Sequence, residues 1–213
     1  MPSSENLFSR VCRENRKKQT QILGIMASPR KGGNADILLE EVLKAARQSQ
    51  AITEKIIIND LSFIPCQACE DTREDGRCKI EDDFQKIYEA VLRADSIVVA
   101  SPIYFGSISA QLKMLIDRFQ CYWRAKYVTK TIDEALMKQG GFICVQASSE
   151  NIFFDNARSI MKNFFNTAGI EYCREIFCSG LEKKGSVKEK PDYMEKAAAM
   201  GEKLAQFKKG KFA

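Results

Sequence analysis

Residues 22–34 read ILGIMASPRKGGN, a continuous apolar run that breaks into a turn of Ser, Pro, Arg and two glycines. Beyond Asn34 the apolar positions change period: Leu38, Leu39, Val42, Leu43 and Ala46 fall on one helical stripe. A run without polar alternation, Ile22–Ala27, suits a strand buried on both faces. The segment therefore reads as strand, glycine-rich turn and helix, the opening unit of an α/β fold.

The same alternation continues along the chain. Further apolar runs occur at Ile56–Ile58, Ile97–Ala100, Phe142–Val145 and Ile176–Cys178. Between them lie helical stripes: Phe84, Ile87, Tyr88, Val91 and Leu92; Leu112, Leu115, Ile116 and Phe119; Ala157, Ile160, Met161, Phe164, Phe165 and Ala168. Asp82 with Gln85 resembles a capping box, and a last helix is expected over about Asp192–Phe207. Five alternations predict a doubly wound, five-stranded parallel sheet with right-handed crossovers and ligands at the carboxyl ends of the strands. Residues 1–20 form a basic arm, and 21–213 one expected domain. Two long connections stand out: Asn59–Glu81, rich in charge and Cys, and Cys121–Gly140, which holds the only Trp in CYWRAKY.

Composition narrows the chemistry. The 213 residues contain no His, which removes Ser-His-Asp triads, Cys-His dyads and HExxH zinc sites. Catalysis then needs carboxylates, Lys, Tyr, Cys, a metal held without imidazole, or a cofactor. The net charge of +5 comes from the ends, with five basic residues against two acids over 1–20 and six against three over 190–213. The body carries no basic stripe interleaved with aromatics, so nucleic acid is not an expected partner. The first twenty residues lack a signal-peptide core, and nowhere do about 18 apolar residues run together. A cytoplasmic protein without membrane association is expected, with its eight Cys as reduced thiols, metal ligands or buried small residues.

Ser28, Arg30, Gly33 and Asn34 suit an anion at a helix start, where backbone N–H groups and the helix dipole favour negative charge; an ordinary turn capped by Asn34 is the alternative. The turn lacks the Walker A ending and the GxGxxG spacing. After the third strand come Ser101, Pro102, Ile103, Tyr104, Phe105, Gly106, Ser107, Ile108 and Ser109. This apolar, aromatic loop suits a flat ring whose edges take backbone hydrogen bonds, or simple loop packing.

Together ILGIMASPRKGGN and ADSIVVASPIYFGSISAQLKMLIDRF (94–119) closely resemble the NADPH-dependent FMN reductase-like flavoproteins of flavodoxin-like fold, especially the iron-sulfur flavoprotein branch. The match covers Ile22–Phe119 strongly, and SPIYFGSISAQLKMLIDR is its specific part. The resemblance implies strand order 2-1-3-4-5, with FMN phosphate on Ser28, Arg30, Gly33 and Asn34. The isoalloxazine would lie against Pro102, Ile103, Tyr104, Phe105 and Gly106, with Ala147, Ser148 and Ser149 closing its other edge. Ala35 stands where the family commonly has a hydroxyl. NAD(P)H is the implied co-substrate, a quinone or flavin the implied acceptor, and a homodimer or tetramer the implied assembly. Flavin carries the chemistry, so no catalytic side chain is expected. The alternative is an iron-sulfur flavoprotein or flavodoxin-type electron carrier served by a ferredoxin-like partner.

IPCQACEDTREDGRCKI places thiols at Cys66, Cys69 and Cys78, a metal-ligand pattern. The iron-sulfur flavoproteins resembled here carry CxxCxxCxxxxxC, the third position of which is Thr72 in this chain. A [4Fe-4S] cluster, a thiolate-bound zinc, reduced thiols and a disulfide are the readings left open, with Cys12 or Cys121 available as a further ligand. Cys144, Cys173 and Cys178 read as buried small residues. Asp117 and Arg118 read as a surface pair, Trp123 with Tyr122 and Tyr127 as a subunit contact or lid, and Glu150 as a candidate for tuning the flavin edge.

Overall fold

The computed structural model describes residues 19–69, 73, 75–132 and 138–207. The arm before residue 19, with Cys12, and the third position of the cysteine pattern, Thr72, lie outside them. Among the described residues six strands and six α-helices follow one another: β1 (Gln21–Met26), α1 (Asn34–Gln48), β2 (Ile52–Ile57), α2 (Phe84–Arg93), β3 (Ser96–Tyr104), β4 (Ser107–Ile108), α3 (Ala110–Arg118), α4 (Gln120–Tyr127), β5 (Lys138–Val145), α5 (Ile152–Thr167), β6 (Ile170–Cys178) and α6 (Pro191–Ala205). Five strands are parallel in the order β2-β1-β3-β5-β6, the expected 2-1-3-4-5 once the short β4 is set aside.

Side chains alternate across the central strands. Leu23, Ile25, Ile97, Val99 and Phe142 face α2, α3 and α5, while Ile22, Met26, Val98, Ala100 and Ile143 face α1 and α6. Both faces are covered, so these strands read as unbroken apolar runs. Gly201 on α6 shows how closely the second layer packs: a Cβ there would lie 2.1 Å from the Val42 carbonyl oxygen of α1. No helix among the described residues is long and apolar enough to cross a membrane.

Three expectations need correction. The edge strands β2 and β6 are longer than their apolar cores and partly exposed, because only one of their edges is paired. The expected loop after β3 is a hairpin: Ile103 pairs with Ile108 and Tyr104 with Ser107, antiparallel. The expected loop beyond Cys121 contains α4, with Tyr122 buried against Tyr88, while Trp123 and Tyr127 remain exposed.

Candidate functional site

Three of the connections gather at the carboxyl ends of neighbouring strands β1, β3 and β5. The first turn is tightly self-bonded. Ser28 Oγ accepts from the Arg30 N–H at 3.2 Å, and the Gly33 N–H donates to the Arg30 carbonyl at 3.0 Å. Gly32 takes φ +68°, and its N–H donates to Asp36 Oδ2 at 2.7 Å. Asp36 in turn pairs with Lys55. The first turn of α1 presents backbone N–H groups that have no intrahelical partner, and exposed Arg30 stands beside it. Asn34 is used differently from the expected side-chain donor. Its Nδ2 donates to the Leu181 and Lys183 carbonyls at 3.2 and 3.0 Å, and its Oδ1 accepts from Val187 N–H at 3.1 Å. The amide is thus engaged by the loop beyond β6, and only the main chain of Asn34 is left to the turn.

The second connection is the β3–β4 hairpin. Phe105 and Gly106 have φ of +49° and +77°, the paired positive values of a two-residue type I′ turn. Phe105 is fully exposed at the tip, and Tyr104 is exposed beside it. Pro102 and Ile103 are half-buried at the end of β3. From behind, Asn156 Nδ2 donates to the Gly106 carbonyl at 2.9 Å, and a Cβ on Gly106 would come within 3.0 Å of the Phe153 ring. Ser109 joins the two connections. Its Oγ donates to the Ala27 carbonyl at 2.7 Å and accepts from Leu112 N–H at the start of α3, while its N–H donates to Ser101 Oγ at 3.1 Å.

The third connection carries Ala147, Ser148, Ser149 and Glu150, all exposed. Ser148 Oγ accepts from the Glu150 N–H at 3.1 Å, and the Ser148 carbonyl accepts from Gly180 N–H. The side chain of Gln146 precedes it, 4% exposed, with Nε2 donating to the Glu150 carbonyl and Oε1 without a partner among the described residues. Sequence reasoning missed Gln146, whose polar end only the fold shows to be orphaned. It also missed Lys184: a Cβ on Gly32 would lie 3.6 Å from Lys184 Nζ, so this ammonium stands beside the Ser28–Asn34 turn. The basic run of GLEKKGSVKEK was the available signal.

Cys66, Cys69 and Cys78 line a separate cavity of about 290 Å³ together with Cys121 and Arg118. Arg118 is no surface residue. It is 1% exposed and forks onto Asp82, with Nη1–Oδ2 at 2.7 Å and Nη2–Oδ1 at 3.1 Å. It also donates to the Ile64 and Ile80 carbonyls and, at 3.2 Å, to Cys78 Sγ. Asp117 pairs instead with Lys113. Burial alone would raise the Asp82 carboxyl, but bonds from Arg118 and from the Ile64 and Phe84 N–H groups hold it below the usual range. The expected capping box is not closed: the Asp82 carboxylate accepts from Arg118 and from the Ile64 and Phe84 N–H groups, and Gln85 Nε2 bonds the Cys78 and Ile80 carbonyls. Burial pushes the Cys121 thiol up to about 12. Among the described residues no disulfide forms, and no three Cys, Asp or Glu side chains converge on one point. Cys144 and Cys178 are buried as expected, but Cys173 is only half-buried on edge strand β6.

A parallel sheet of this order, with βα connections grouped over its carboxyl ends, defines a flavodoxin-like α/β protein. The family model for NADPH-dependent FMN reductase matches residues 20–169, and the chain belongs to that family. It is 43% identical over 98 residues to an iron-sulfur flavoprotein of Methanocaldococcus jannaschii, covering 46% of this chain and 51% of that one. It is 37% identical over 121 residues to an iron-sulfur flavoprotein of Methanosarcina thermophila, covering 57% and 63%. These matches span about half to three fifths of the relatives' length. The fold is shared with an NAD(P)H:quinone oxidoreductase from Methanothermobacter marburgensis, with a TM-score of 0.68 at 16% identity over 89% of this chain and 98% of that one.

Proposed function

We propose that the protein is an FMN-dependent NAD(P)H oxidoreductase that reduces a quinone, a flavin or a similar acceptor. The observation that carries this reading is the grouping of the Ser28–Asn34 turn, the β3–β4 hairpin and the Ala147–Glu150 connection over adjacent strands in a member of this family. The residues present fit the cofactor. The α1 N-terminus with Arg30 and Lys184 suits a phosphate, exposed Tyr104 and Phe105 suit a ring, and orphaned Gln146 Oε1 suits a ring N–H. Bound FMN supplies hydride transfer from a reduced nicotinamide, which needs alignment of the two rings more than a protein acid.

Ser28, Gly33 and the main chain of Asn34 shape the phosphate turn. Ser109 ties that turn to the hairpin, its hydroxyl bonding the Ala27 carbonyl and its N–H bonding Ser101 Oγ, so one residue positions both ends of the ligand. Pro102, Ile103 and Gly106 form the floor of the ring site, with Ala147 and Ser148 along its edge. The protein acts in the cytoplasm as a homodimer or tetramer whose second chain helps cover the exposed hairpin. Arg30→Ala is expected to raise the FMN dissociation constant about tenfold or more, the worth of one charge-assisted hydrogen bond. Flavin titration checks this, and unchanged affinity places the phosphate elsewhere.

A second reading, an iron-sulfur flavoprotein taking electrons from a ferredoxin-like partner, is favoured by the shared cavity of four thiols and by the 43% identical relative. Iron and acid-labile sulfide analysis beside NADPH turnover separates the two.

A further inference from the structure

We propose that Asp36 and Lys55 form one positioning unit for the cofactor phosphate: the carboxylate fixes the Arg30–Gly33 turn, and the ammonium cancels its charge so that a dianion can settle beside it. The proposal rests on the reading above, in which that turn takes the FMN phosphate. The Gly33 N–H donates to the Arg30 carbonyl at 3.0 Å, which closes a β-turn with Gly32 at its third position and φ +68°. A positive φ there is what type II turns require. The Gly32 N–H is held by Asp36 Oδ2 at 2.7 Å, so the first turn of α1 fixes the loop that precedes it.

Holding the turn in this way creates a conflict. A carboxylate at a helix start draws on the same dipole and N–H groups that would take a phosphate. Left uncompensated, it would repel the ligand at short range, the more so where burial limits screening. Lys55 removes the conflict. It stands on β2 beside Gly24 of β1, and its Nζ donates at 2.5 Å both to Asp36 Oδ1 and to Glu40 Oε1. Both oxygens of Asp36 are thus engaged, one by the turn and one by the cation. Burial alone would lower the pKa of Lys55, but the bonds to Asp36 and Glu40 and their charges raise it above its ordinary value, so the ammonium keeps its charge. The series Asp36, Lys55, Glu40, Arg47 alternates in sign, and its least exposed members, Asp36 and Lys55 with side chains 11% and 19% exposed, are those at the turn. The nearby Lys31 pairs instead with Asp60 at 2.7 Å. Among the described residues Lys55 is the cation bonded to Asp36, and Arg30 and Lys184, by the reading above, serve the phosphate itself.

The test titrates the full chain, stripped of flavin, with FMN and with riboflavin, which lacks the phosphate. Lys55→Gln is expected to weaken FMN by about tenfold or more while riboflavin changes by less than about twofold. Adding Asp36→Asn removes the stranded charge and keeps an oxygen for the Gly32 N–H, so FMN affinity in the double variant should return to within about threefold of wild type. FMN affinity unchanged by Lys55→Gln overturns the proposal, and equal losses of FMN and riboflavin do so by marking a packing role. An FMN loss that Asp36→Asn does not repair also overturns it, since Lys55 would then act on the ligand directly. Should Lys55→Gln not fold, Asp36→Asn alone decides: FMN bound at least as tightly as by wild type supports the proposal, and a loss of about tenfold overturns it. Wild type that binds FMN no more tightly than riboflavin overturns the phosphate reading of the turn along with the proposal, a result the variants are not needed to recognise.

Discussion

The Arg118 guanidinium gives five hydrogen bonds, two of them to Asp82, and so pins the start of α2 to the cysteine loop. Removing one partner of such a pair leaves a buried charge uncompensated, which costs more than the pair itself contributes. Asp82→Asn is therefore expected to destabilise the protein by about 3 kcal/mol at pH 7. The Asp82 carboxyl lies below its ordinary value in the folded state, so its contribution is complete above about pH 4 and is lost as pH falls through the folded value. Urea midpoints measured from pH 7 downward should show the variant and wild type converging below about pH 4. A gap that stays constant to pH 3 would contradict the ion pair. Sequence inspection placed Arg118 on the surface because its partners lie 36 to 54 residues away. Nothing in a local charge pattern reveals such a contact.

Among the elements, the β3–β4 hairpin departs most from its own propensities. A bulky aromatic at φ +49° is an uncommon choice for a type I′ turn, which favours Asn or Gly. Strain kept at an exposed tip points to a role for the ring. Phe105→Asn is expected to stabilise the fold by about 1 kcal/mol while weakening FMN several-fold. Thermal unfolding with flavin titration checks both, and a variant less stable than wild type would contradict the strain. The α1–α6 contact is the opposite case, where the smallest residue is obligatory: Gly201→Ala should cost about 1–3 kcal/mol, and an unchanged denaturation midpoint would show that the helices simply slide apart. The α1 stripe and the Gly32-Gly33 turn were readable because period and glycine are local signals. The hairpin was not, since SPIYFG does not alternate in polarity and carries Pro102 within a strand.

At the scale of the molecule, the switch between strand-like and helical periods was enough to derive the five parallel strands, whereas their order followed only from the family resemblance. Site composition was only partly accessible. Glycines and hydroxyls marked the turns, but the saturation of Asn34 by residues 147 to 153 positions away and the orphaned Gln146 oxygen arise only when distant loops meet. The central proposal is that three loops over β1, β3 and β5 hold one flavin mononucleotide. The most direct measurement is the flavin content of the full chain purified from flavin-replete cells, completed by titrating the protein with FMN. About one FMN per chain, bound tightly enough to survive gel filtration, is the predicted result. A colourless protein that takes up no FMN in the titration would contradict the account.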